Sequence, residues 1–178
     1  MAEAWAYQAR DSTLFGDCLR RSSISRTYYA LFHALARSCA DSLIGEEGTD
    51  RTDRAWRQTY RSLDHVETAK ACERCVRDNR MLGFPPSLLT FARFLPVAMR
   101  RRHQADYDPD YAPTNEAVAA MTSAANRAIT ALTETDLRDR RAFAAFILFE
   151  RGRRNIAPVH DRFPLGGVVP DALPAFLR

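Results

Sequence analysis

Apolar residues recur along this chain at helical rather than strand spacing. Ile24, Tyr28, Leu31 and Leu35 fall at i, i+4, i+7 and i+11, a stripe suited to packing. Ser22, Arg26, Tyr29, His33 and Arg37 form a second stripe on nearly the opposite side. The pattern predicts a first helix from about Ala2 to Asp11 and a turn at Phe15-Gly16-Asp17, with Asp17 capping the next helix. That second helix is long, covering Cys18 to Leu43 and ending at the Gly45–Asp50 loop. A third runs from Thr52 to Asn79, carrying Trp56, Tyr60, Leu63, Val66 and Ala69, and Gly83-Phe84-Pro85-Pro86 stops it. A fourth spans Ser87 to Tyr107, with Pro96 expected to kink or split it. Asp108 to Pro113 breaks the chain. A fifth helix covers Thr114 to Glu134, capped by Thr114 or Asn115, and a sixth Leu137 to Arg151.

From Asn155 onward, Pro158, Pro164, Gly166, Gly167, Pro170 and Pro174 exclude a long helix. Val159, Phe163, Leu165, Val168, Val169, Leu173, Phe176 and Leu177 are interleaved among them. The expected organisation is a helical bundle over residues 1–154 and an irregular tail over 155–178, laid on the bundle or on a partner. No internal repeat or strand pattern competes with it.

The chain has 178 residues, of which 46% are hydrophobic, enough for one domain with a core. No run approaches the ~20 apolar residues that span a bilayer. Met1-Ala2-Glu3-Ala4-Trp5 lacks the basic-then-apolar order of a secretory signal, so a cytoplasmic protein is expected. The net charge of +4 suits an anionic partner only weakly. Lys70 is the only lysine, and arginine chelates phosphate better than lysine does. Codon bias toward Arg and Ala gives the same composition, so this carries little weight.

Cys72-Glu73-Arg74-Cys75, with His65 upstream, has two of the ligand types of a zinc site. No second ligand pair lies at a useful spacing, and structural thiols are the expected reading, together with Cys18 and Cys39. Asp106, Asp108 and Asp110 open like a calcium loop, but Pro109 and the missing glycine and terminal glutamate exclude one. No metal and no cofactor are expected. His65 reads as an ordinary surface or core histidine, and His160 falls in the tail.

Two segments carry candidate chemistry. In Ser25-Arg26-Thr27-Tyr28-Tyr29-Ala30-Leu31-Phe32-His33, the Arg26–His33 spacing sets both side chains on one helix face, two turns apart. A guanidinium grips phosphate oxygens, and an imidazole moves protons near neutral pH. A solvated amphipathic face would look similar. Tyr29 between the charged groups suits a pocket or interface better. In the second, Arg100-Arg101-Arg102-His103-Gln104-Ala105-Asp106-Tyr107, cations near a helix C-terminus complement the macrodipole. Arg102 and Asp106 are spaced to pair, as are His103 and Tyr107.

These two segments, in this order, resemble the HEPN domain superfamily over roughly residues 1–135. The likeness is nearest to small standalone prokaryotic HEPN proteins paired with minimal nucleotidyltransferases. The resemblance implies an all-α, up-and-down antiparallel bundle that forms a homodimer. It further implies a metal-independent endoribonuclease with an Arg-x(4–6)-His motif, met by Arg26 and His33, acting as a toxin or a defence or stress effector. A ribose 2′-hydroxyl would attack the adjacent phosphate and leave a cyclic phosphate. His33 would be the general base or acid and Arg26 the phosphorane-stabilising cation. Arg100, Arg101, Arg102 and His103 would bind the RNA backbone, with Tyr29 and Asp106 in support. In the nucleotidyltransferase-paired branch the late motif reads Arg-x4-His-x-Tyr. Here Ala105 stands in place of that histidine, while Tyr107 is retained and would be an AMP acceptor for a nucleotidyltransferase antitoxin. The alternative implied is a non-catalytic HEPN dimer, a scaffold for nucleotide, RNA or protein.

Overall fold

A computed structural model describes residues 2–149, with side chains from residue 13 onward. The expected 155–178 tail and the end of the last helix lie outside the described residues. Every regular element among them is a helix: α1 (Ala2–Ile44), α2 (Asp53–Arg61), α3 (His65–Arg77), α4 (Asn79–Leu82), α5 (Pro86–Tyr107), α6 (Asn115–Thr133) and α7 (Leu137–Phe149). None is long and apolar enough to cross a membrane.

Three sequence expectations need correction. The turn at Phe15–Asp17 does not form, and α1 runs unbroken through Gly16. Asp17 caps nothing. It sits 3.6 Å from Arg20 and 3.2 Å from Arg21, one turn on, so its charge supports the helix from the side. The single helix expected over Thr52–Asn79 is instead divided at Ser62–Asp64. There Asp64 accepts from the Val66 and Glu67 amides at 2.9 and 3.0 Å and starts α3 afresh. Pro96 does not split α5. Its ring is buried, and the helix continues on both sides of the lost amide.

The stripe Ile24, Tyr28, Leu31, Leu35 is fully buried and joins Leu88, Phe91, Leu95, Leu132 and Phe143 in the core. Cross-contacts give the direction of each helix. Trp56 donates to Asp41 and Tyr60 meets His33, so α2 returns along α1. Glu73 pairs with Arg100, while Arg77 and Arg93 line one groove further along, so α5 opposes α3. Thr135, just past the end of α6, donates to Ser87 at the start of α5, so these two are antiparallel as well. The result is an all-α bundle in which consecutive longer helices alternate.

α1 also fixes the far end of α5. Arg21 donates to the carbonyls of Ala105, Asp108 and Pro109 at 3.2, 2.8 and 3.1 Å, satisfying acceptors that the helix end leaves open.

Gly16 has an ordinary helical backbone, and a Cβ there would meet only the tip of the Arg20 side chain at 3.2 Å. Gly16→Ala should therefore stabilise the fold by about 0.5–1 kcal/mol, raising the midpoint of thermal unfolding. A turn at this position would give the opposite sign.

Candidate functional site

Tyr29 and His33 lie one turn apart on α1, and the helices packed around them deliver further groups. α5 brings Arg102 and Asp106. α3 opens on His65, and α2 brings Tyr60 and Trp56. Arg102 Nε lies 2.6 Å from Asp106 Oδ2, and its Nη2 donates to the Tyr29 hydroxyl at 3.0 Å. The same guanidinium stands 5.4 Å over the Tyr29 ring and 5.9 Å over the Tyr107 ring. The Ser25 hydroxyl donates to Asp106, closing a polar seam between α1 and α5.

Beyond Tyr29 the rings form a ladder. His33 stacks on Tyr29 with centroids 6.3 Å apart and on Tyr60 at 5.9 Å, and Tyr60 stacks on Trp56 at 5.2 Å. Arg51 lies 5.0 Å over Trp56. An arginine therefore covers each end of a four-ring row, with an exposed imidazole in the middle. His33 Nδ1 is 2.8 Å from the Tyr60 hydroxyl, and Nε2 makes no hydrogen bond among the described residues.

His65 lies behind this row. Its ring is 6.0 Å from Tyr29 and 3.9 Å from Phe32, and its Nδ1 is 2.7 Å from the Tyr28 hydroxyl. Burial pushes the Tyr28 phenol up to about 12, so it stays protonated. That buried hydroxyl has no other partner among the described residues, so it donates to Nδ1 and leaves the His65 proton on Nε2. Burial, and then the charge of Arg102, hold His65 below its ordinary range, with Asp64 opposing them. The helix N-terminus on which it sits also disfavours an imidazolium.

The predicted residues separate on inspection. His33, Tyr29, Arg102 and Asp106 come together. Arg26 does not join them. Its side chain is exposed and makes no hydrogen bond, ion pair or ring contact among the described residues. Arg100 pairs with Glu73 across the α3–α5 groove at 3.2 Å, and Arg101 bonds Gln104 on its own helix at 3.3 Å. His103 lines that same groove, of about 700 Å³, and lies 5.0 Å from the Tyr107 ring. Tyr107 is 66% exposed, whereas Ala105 is buried against α1. Of the groups at the site, the sequence offered His65 only as a zinc ligand, and Tyr60 and Trp56 only as packing residues. The i, i+4 spacing of Trp56 and Tyr60 was the one available hint.

Cys39, Cys72 and Cys75 are buried free thiols, and burial pushes Cys39 up to about 12 and Cys75 to about 11. Among the described residues, no group of three or more His, Cys, Asp or Glu side chains is placed to hold a metal ion.

No family model, curated protein or solved structure matches this chain.

The lowered His65 has a consequence for stability. The unfolded chain protonates it around the ordinary value of 6.5, and the folded protein only below that. Its contribution is fully present above about pH 6.5 and is lost as pH falls through the folded value. The unfolding midpoint should drop as pH falls below about 6.5, and His65→Gln should flatten that drop; an equal drop in the variant would contradict it.

Proposed function

We propose that this chain is an endoribonuclease of HEPN type in which Arg102, rather than Arg26, works with His33. One observation carries the reading. A guanidinium from α5 and two imidazoles from α1 and α3 border the same Tyr29 ring, and one of those imidazoles is open to solvent. Arg26 and His33 share a side of α1. Arg102 reaches the same aromatic surface from another helix, and its Nη1 makes no hydrogen bond among the described residues.

The chemistry needs no cofactor. With Nδ1–H donated to Tyr60, His33 Nε2 accepts the proton of a ribose 2′-hydroxyl. The 2′-oxygen bonds to the adjacent phosphorus, the bond from phosphorus to the 5′-oxygen breaks, and that oxygen takes a proton from a water that the His33 imidazolium reprotonates, restoring neutral His33. The products are a 2′,3′-cyclic phosphate and a free 5′-hydroxyl. Arg102 stabilises the charge growing on the phosphorane, while Asp106 orients it. The role proposed is that of a toxin or defence effector acting as a homodimer beside a nucleotidyltransferase antitoxin. Tyr107, exposed and next to Arg102, would be the residue that receives AMP.

A second reading has its own support. Arg102 is already neutralised by Asp106, and His33 already holds Tyr60, as in a binding module that does no chemistry.

RNA cleavage with EDTA present separates the two readings. His33→Ala and Arg102→Ala should each lose roughly 10²-fold or more in rate. Arg26→Ala should stay within a few-fold of the wild type. Activity lost in Arg26→Ala but kept in Arg102→Ala would overturn the assignment, and RNA bound but left intact by the wild type would favour the binding module.

A further inference from the structure

α2 has two faces. Trp56 and Tyr60 turn inward to the ring ladder, and none of the helix's residues is fully buried. Arg54, Arg57 and Arg61 turn outward, spaced three and four residues apart, on one stripe of the helix. All three are exposed and make no side-chain hydrogen bond or ion pair among the described residues. Several other arginines near the site are matched, Arg51 with Asp41, Arg100 with Glu73 and Arg102 with Asp106, and Arg26 on α1 is the unmatched exception. The three stripe residues share one open hollow with Asp53, Gln58 and Ser62. Asp53 is the one acid in it, and it is drawn toward Arg51 at 3.7 Å.

Three uncompensated guanidiniums along about 10 Å of helix suit successive phosphates of one strand. Arg61 directly follows Tyr60, whose hydroxyl meets His33, so the same turn of α2 carries one end of the stripe and the contact to the exposed imidazole. A membrane surface fits less well. An interfacial helix needs an apolar face to insert, and on α2 the aromatic side chains are already committed to the bundle.

We propose that the outer face of α2 is the backbone-binding track for single-stranded RNA. Arg54, Arg57 and Arg61 contact phosphates and deliver the strand to the aromatic ladder, where the bases meet ring edges rather than a sequence-reading groove. This rests on the reading that RNA is the substrate, and it assigns the grip to α2 rather than to Arg100 and Arg101.

The test is fluorescence anisotropy of a labelled single-stranded oligoribonucleotide, with the full chain, across a range of salt concentrations. Arg54→Gln, Arg57→Gln and Arg61→Gln combined should weaken binding at least tenfold at about 0.1 M salt. The slope of log affinity against log salt should flatten by ~2, since each lost phosphate contact on a single strand contributes about 0.7. A control triple, Arg80→Gln, Arg93→Gln and Arg138→Gln, removes equal charge from exposed positions elsewhere and should leave the slope unchanged. Circular dichroism checks that both variants keep their helices. An unchanged slope in the α2 triple, an equal loss in the control, no RNA binding by the wild type, or capture of anionic vesicles in preference to RNA would each overturn the proposal. Cleavage is scored separately. RNA held through α2 but never cut sinks the nuclease reading alone, whereas RNA cut normally by a chain lacking the stripe sinks this one alone.

Discussion

The site depends on one guanidinium held from two helices at once. Arg102 and Asp106 are largely withdrawn from solvent, their side chains 21% and 27% exposed. An arginine so placed needs a counter-charge, or the cost of taking it from water goes unmet. Asp106 supplies the charge from one turn further along α5, and Tyr29 supplies an acceptor from α1. Ser25 then donates to the carboxylate from the turn before Tyr29. Each bond crosses or braces the α1–α5 contact, so the register of the two helices and the position of the cation are set together. Arg21 adds a second clamp at the end of α5, keeping the Arg102–Tyr107 stretch against α1.

From that fixed point the rest of the site is built by contact. Arg102 lies against Tyr29, Tyr29 flanks both His33 and His65, and His33 passes the stack on to Tyr60 and Trp56 of α2. The two imidazoles differ because their surroundings differ. His65 is half-withdrawn, faces the arginine, starts a helix and accepts from a phenol that does not ionise, all of which keep it neutral. His33 is exposed, with one ring nitrogen making no hydrogen bond among the described residues. Two groups of the same type, one structural and one accessible, are set apart by what packs against them rather than by residue identity.

Much of the fold was legible because periodicity is a local signal. The buried stripe of α1 could be read directly from Ile24, Tyr28, Leu31 and Leu35. The errors fell where a local cue lost to its context. A glycine followed by an acid reads as a turn, yet α1 has core residues enough downstream to carry helix through Gly16. Asp64 resembled one more polar residue in a long amphipathic run, and its role as a cap shows only when the chain turns there. The site was half legible. Spacing on one helix can say that Arg26 and His33 share a side, but not that a cation from a helix far along the chain reaches the same rings. Nor could it distinguish His65 from any core histidine, since the Tyr28 bond joins residues far apart in the chain.

Net charge of +4 said little about an anionic partner, and the arrangement of arginines says why. A cation meant to stabilise a transition state must already be in place before substrate arrives, so it carries its own carboxylate and phenol, as Arg102 does. A cation meant to draw in a strand works best uncompensated and hydrated, since releasing counterions supplies the affinity. Pairing of this kind cancels in a sum over the whole chain, while an unpaired stripe adds only a few units to it. The informative quantity is therefore which arginines lack an acid. On the helix that carries the aromatic ladder, the unpaired ones lie on a single exposed face.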